Sequence, residues 1–165
     1  MKIFGVVGWK NSGKTGLVER LVDVISSKGF LVSTIKHAHH TFDIDQSGKD
    51  SYRHRQAGAQ EVILSSKNRW ALMGELRGSP EPDLKTLIKK LNKVDLVLIE
   101  GFKKDGHLKI EAHREEISQS LISIYDRTII AVASNSSKRI SELPTFDLNN
   151  TDEIAKFILS KVGLI

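Results

Sequence analysis

The stretch that most constrains this chain is Gly8-Trp9-Lys10-Asn11-Ser12-Gly13-Lys14-Thr15. It has the spacing G-x-x-x-x-G-K-[ST] of a phosphate-binding P-loop. Glycines at both ends let the backbone curl until successive N–H groups point at one anion. Lys14 brings a compact positive charge to the outer phosphates. Thr15 offers a hydroxyl to a magnesium ion, and a helix starting there turns its positive dipole end toward the same anion. So short a pattern also arises by chance, as an ordinary glycine-rich turn, and its flanks decide. Residues 2–7 are a short apolar run that reads as a buried strand. Leu17, Leu21, Val24 and Ile25 recur at helical spacing, with Val18 and Val22 beside them, Lys28 in the last turn and Gly29 as the stop. Strand, loop, helix is the order a nucleotide-binding loop requires.

The following elements continue in that style. Residues 30–35 read as a second strand, parallel to the first and buried with it. Residues 48–58 read as a short polar helix lying on the surface or over a ligand. Residues 61–65 and 69–73 are strand-like, and the short link between them predicts a hairpin. Leu84, Leu87, Ile88 and Leu91 mark an amphipathic helix. Residues 108–113 alternate like a strand, and residues 128–134 read as a buried one. Asn150, with Asp152 and Glu153 after it, starts a last helix whose buried side is Ile154, Phe157, Ile158 and Val162.

Asp95-Leu96-Val97-Leu98-Ile99-Glu100-Gly101 is the second informative stretch. Four aliphatic residues form a central strand, and Glu100 stands at its end, as in a Walker B acid. A carboxylate there reaches magnesium or its water beside Thr15. Asn92-Lys93-Val94-Asp95 spells the guanine-reading motif N-K-x-D, but it precedes this strand. Asp95 therefore lies about 17 Å from Glu100, at the wrong edge of the sheet. The better base contact is Asn135, in the loop after residues 128–134, although many loop asparagines serve no ligand. His37, His39 and His40 form H-x-H-H, readable as a transition-metal site or as a polar loop that contacts phosphate, substrate or water. Asp43 and Asp45 beside them suit water bound to magnesium.

Composition narrows the classes. The chain has 165 residues, 39% hydrophobic and 27% charged, which predicts one domain over 1–165. No apolar run approaches the roughly 20 residues of a membrane span. There is no cysteine, so disulfides and thiolate metal sites are excluded, and a reducing cytoplasm fits. The net charge of +5 is scattered, and only 6% of residues are aromatic, against a nucleic-acid-binding face.

Residues 35–45, then Gly48-Lys49-Asp50-Ser51 and Arg53 through Ala59, resemble the molybdopterin-guanine dinucleotide biosynthesis protein B (MobB) family. So do Arg69 through Met73, Asp95 through Lys103, and Lys109-Ile110 followed by Arg114. The resemblance spans nearly the whole chain. It implies an α/β P-loop NTPase three-layer fold, with a mostly parallel sheet and an added antiparallel strand region. It further implies GTP with Mg2+, weak GTP hydrolysis at most, and a homodimer. The family's role is accessory: it supplies GTP to the guanylyltransferase MobA, which attaches GMP to molybdopterin, itself a candidate ligand. By position, Gly8, Asn11, Ser12, Gly13, Lys14 and Thr15 would bind phosphate and magnesium, with Glu100 as the Walker B acid. His39, His40, Asp43, Asp45 and Lys49 would line the site or a switch-like loop. Where the family tends to have aspartate, this chain has Asn135, whose amide suits guanine less well. The catalytic residues stay unassigned. Arg53, Arg55 and Arg114 are candidates for an arginine supplied by a dimer partner. Two other classes use the same loop: a small-molecule kinase, for which Tyr52 to Arg55 is a weak lid, and a metal-delivery GTPase using the histidines.

Overall fold

The computed structural model describes residues 1–38, 42–138 and 140–165. Its elements in chain order are β1 (Lys2–Val7), α1 (Lys14–Ser27), β2 (Val32–Lys36), α2 (Asp50–Gln56), β3 (Glu61–Ser65) and β4 (Trp70–Gly74). Then follow α3 (Leu84–Lys90), β5 (Leu96–Glu100), β6 (Lys109–His113), β7 (Ile129–Ser134), β8 (Thr145–Asp147) and α4 (Thr151–Lys161). They fall into two compact units, residues 1–37 with 84–165, and residues 38–83.

The larger unit is built on a six-stranded sheet in the order β2-β5-β1-β6-β7-β8. Every neighbouring pair is parallel. Alternation along β5 explains why both faces are covered. Leu96 and Leu98 join Phe4, Val6, Leu17, Leu21, Ile154 and Ile158 on the side of α1 and α4. Val97 and Ile99 pack with Leu84 and Ile88 on the side of α3. This is the expected three-layer α/β arrangement. Because β5 inserts between β1 and β2, β2 is an edge strand. Its residues are therefore half-buried or exposed rather than buried as the sequence predicts.

α4 starts as predicted: Asn150 accepts from the Glu153 N–H at 3.3 Å, and its amide donates to the Glu153 carboxylate at 2.9 Å. Its buried side is Ile154, Ala155, Ile158 and Leu159, while Phe157 and Val162 are half-buried. β8 is an addition that the sequence reading lacks. β6 carries two fully buried charges. Glu111 accepts the N–H groups of Ile122 and Ser123 at 2.8 and 2.9 Å. Lys109 is held by Asp126 at 3.2 Å, by the Asp105 carbonyl and by the Thr128 hydroxyl.

The smaller unit contains the predicted polar helix, α2, and the predicted antiparallel hairpin, β3 with β4. Arg55 organises it. Its guanidinium meets Asp43 at 2.9 Å, Asp45 at 3.1 Å and Glu75 at 2.8 Å. Bonds from Arg55 first, and from the Asp45 N–H, hold the Asp43 carboxyl below the usual range. Burial pushes Asp45 up, but bonds from Ser51, the Gln46 N–H and Arg55 outweigh it and leave that carboxyl low as well. Carboxyls depressed by folding add stability that is complete above their unfolded value of about 3.9 and is lost as pH falls through the lower folded values. We therefore expect this unit to loosen below about pH 4. The Trp70 indole N–H resonance should report it, and a resonance unmoved at about pH 2 would refute the coupling.

Candidate functional site

The phosphate loop stands at the C-terminal edge of the parallel sheet, where β1 hands over to α1. Its conformation rests on positive backbone angles: φ is 153° at Gly8, 66° at Asn11 and 89° at Gly13. Close packing adds a second demand. A Cβ on Gly13 would lie 3.1 Å from Leu148 Cδ2 and 3.2 Å from Arg114 Nε. Gly13 is the residue before α1 and offers no side-chain cap, and no acid stands in the helix's first turn. The positive end of α1 is thus left without a protein carboxylate from its own first turn.

Side chains complete the loop. Lys14 folds back over it and donates to the Trp9 carbonyl at 2.5 Å and the Ser12 hydroxyl at 3.4 Å. Burial, and next the nearby Lys103, lower the Lys14 pKa; Glu100 opposes the shift and Lys36 adds to it. The Trp9 indole donates to the Ser120 carbonyl at 2.8 Å, and Lys103 Nζ lies 4.4 Å from the centre of its ring.

Beside the loop, the Thr15 hydroxyl donates to Glu100 Oε1 at 2.9 Å. Lys36 Nζ stands 3.4 Å from the same oxygen and 3.5 Å from Thr15 Oγ1. The sheet register explains the meeting, for Lys36 and Glu100 are paired residues at the ends of β2 and β5. One hydroxyl and one carboxylate, both hard oxygens, match magnesium, which takes one or two protein ligands and completes its shell with water and phosphate. The carboxylate oxygen already carries a cation in the Lys36 ammonium. Among the described residues no three His, Asp or Glu side chains gather as a metal site.

The other expected site residues distribute as follows. Asp95 accepts from the Leu31 N–H at 2.7 Å, before β5 and at the opposite edge from Glu100, which agrees with setting aside N-K-x-D. Asn135 follows β7; its oxygen accepts from the Glu115 N–H at 2.8 Å and its amide nitrogen lies 3.3 Å from both Glu116 oxygens. His37 stacks on Phe102, with ring centres 4.6 Å apart. His39 and His40 lie outside the described residues. Asp43 and Asp45 are bound to Arg55 inside the smaller unit, and Lys49 precedes α2 there. Arg55, bonded to three carboxylates, is not an arginine available to a partner's phosphates. Arg114, the third candidate, packs against the phosphate loop of its own chain. Nothing in the sequence alone places Lys36, Lys103 and Arg114 around this loop. The only signal was that each follows or ends a strand at the loop's edge of the sheet.

A parallel α/β sheet with this loop, this lysine and this strand-end acid defines a P-loop protein. The family model described as "Molybdopterin guanine dinucleotide synthesis protein B" matches residues 3–135, and the chain belongs to that family, MobB. A molybdopterin-guanine dinucleotide biosynthesis adapter protein of Haemophilus influenzae is 40% identical over 159 residues, covering 94% of this chain and 86% of its own. Its namesake in Escherichia coli is 36% identical over 160 residues, covering 95% and 91%. The crystal structure of Bacillus subtilis MobB superposes with a TM-score of 0.77 at 27% identity, covering 98% of each chain. A crystal structure of molybdopterin-guanine biosynthesis protein B gives 0.75 at 26%, covering 96% and 99%. No helix among the described residues is long and apolar enough to cross a membrane.

Proposed function

We propose that this chain is an adapter in molybdopterin-guanine dinucleotide synthesis that binds GTP with magnesium and presents it, as a cytoplasmic homodimer, to the guanylyltransferase MobA. The whole chain serves as one nucleotide-binding domain. The adapter role rests on the names of its relatives. The nucleotide role rests on one observation, the convergence of Thr15 and Lys36 on Glu100 beside the Lys14 loop.

In this reading Gly8, Asn11, Ser12 and Gly13 shape the loop whose N–H groups receive phosphate, and Lys14 turns from the Trp9 carbonyl onto the outer phosphates. Thr15 and Glu100 would hold magnesium, which neutralises charge on the phosphate oxygens. Arg114, beside Gly13, adds positive charge from the same chain. The family resemblance also assigns a switch-like loop to His39, His40, Asp43, Asp45 and Lys49. Hydrolysis is at most weak, since the adapter's task is to hold the nucleotide for another protein's chemistry. Of the weak lid from Tyr52 to Arg55 that the kinase alternative offers, Arg55 is bonded to Asp43, Asp45 and Glu75, which speaks against that residue closing over phosphates.

Calorimetric titration with GTP, with and without magnesium, tests the site. Magnesium should tighten binding to the native chain. Glu100→Gln should remove that gain, costing roughly 10- to 100-fold in affinity with the metal present, the worth of one charged contact. Native binding that ignores magnesium would reject the assignment of Thr15 and Glu100. Co-elution with MobA that requires GTP would support the adapter role.

A further inference from the structure

In the GTP reading above the loop takes the terminal phosphates, but it leaves the base unassigned. The sheet order supplies a direction. Glu100 and Lys36 lie on one side of β1, at the ends of β5 and β2, while β6, β7 and β8 extend on the other. With the metal-side groups on the first side, the nucleoside must run toward the second, along the C-terminal strand ends where ligands of such sheets bind. Leu148 leads there, since it packs on Gly13 and directly follows β8.

A cavity of about 520 Å³ opens at that place, lined by Ser134, Asn135, Ser136, Lys138, Thr145 and Asp147 among others. Its size falls within the range of about 300–1,000 Å³ usual for small-molecule sites. Its two groups suited to reading a base edge differ in what they have left to offer. Asn135 spends its amide on holding residues 115 and 116, accepting from one and donating to the other. Asp147, paired in register with Ser134, uses Oδ1 to accept the Asn149 N–H at 2.8 Å. Oδ2 makes no hydrogen bond among the described residues, and each carboxylate oxygen has a second lone pair. The side chain belongs to an exposed residue, so no desolvated charge has to be explained.

We infer that Asp147 is the residue that reads guanine, its carboxylate accepting the adjacent N1–H and N2–H groups of the base. Asn135 shapes the wall of the same cavity by fixing residues 115 and 116. This inference rests on the GTP reading above and adds the residue that makes it selective. Adenine presents an acceptor at N1 and no amino group at C2, so a carboxylate there meets it with repulsion and one unpaired position. Xanthine carries a carbonyl at C2, and an amide in place of the carboxylate would pair with it.

The test is binding of GTP, ATP, ITP and XTP, with magnesium, to the native chain and to Asp147→Asn. That variant keeps the acceptor for Asn149, and circular dichroism should match the native chain. The native chain should bind GTP more tightly than ITP, ATP or XTP. Asp147→Asn should lose roughly 10- to 100-fold for GTP and gain for XTP, reversing the preference. A native chain that binds no nucleotide overturns the GTP reading and this inference with it. A native chain that binds GTP, combined with an unchanged GTP-to-XTP ratio in Asp147→Asn, overturns this inference alone. Equal affinity of the native chain for GTP and ATP does the same.

Discussion

Replacing Lys14 by alanine should weaken magnesium-GTP binding by roughly 100- to 1,000-fold while leaving the melting temperature nearly unchanged. The two halves of that expectation have different causes. In the free protein, among the described residues, the ammonium bonds to the Trp9 carbonyl and the Ser12 hydroxyl, within its own loop. Its burial and the neighbouring Lys103 and Lys36 disfavour its charge more than Glu100 favours it, so the folded protein gains little from keeping that charge. With a triphosphate bound, the same ammonium would make charge-assisted bonds to the outer phosphates, each worth about 1.5–3 kcal/mol. The alanine variant therefore loses binding and not fold. Calorimetry and a thermal melt on one preparation decide it. GTP affinity within about threefold of native would remove the phosphate-loop assignment.

Gly8→Ala should do the reverse and damage the fold. A Cβ on Gly8 would stand 2.4 Å from the Ala112 carbonyl oxygen and 2.4 Å from Ser12 Oγ. The first atom is backbone of a buried strand and cannot swing aside, and Ser12 is itself buried. The backbone angle, φ 153°, is also one that side-chain-bearing residues rarely adopt. Overpacking and strain together should cost about 2–5 kcal/mol. For a chain of this size that lowers the melting temperature by about 5–15 °C. Gly29→Ala is the matched control. Gly29 has φ 89° with nothing within 4 Å of a built Cβ, so only strain of about 1 kcal/mol applies. A Gly8→Ala melt equal to that of Gly29→Ala would show that the strand does yield.

The parts legible in the sequence were those encoded by local spacing. Helical recurrence from Leu17 to Ile25 and the unbroken apolar run before Glu100 correspond to α1 and β5. The short polar link after Ser65 corresponds to the β3–β4 hairpin. What escaped reading depends on partners far along the chain. β8 is three residues, Thr145-Phe146-Asp147, with no apolar run of its own, and exists because β7 offers it an edge. Lys36 joins Glu100 only because β2 lies beside β5, an order that no local pattern carries. Asp43 and Asp45 look alike as loop acids, and nothing nearby in the sequence shows that Arg55 binds both. The apolar run before it puts Asn135 at a strand end, but its hydrogen bonds to residues 115 and 116 come from another loop.

The walls of the phosphate loop come from late in the chain. Gly13 is packed by Arg114 and Leu148, and Trp9 is tied to the carbonyl of Ser120. A nascent chain that has emerged only through β2 carries the complete motif and none of these supports. The contacts that link Gly13 to Arg114 and Leu148, and Trp9 to Ser120, join residues far apart in the chain, the kind of pairing that loop-closure entropy makes slow to form. Under the nucleotide reading proposed above, a chain that has not made those contacts would carry the motif without its walls, and occupancy by nucleotide would mark a chain that has made them.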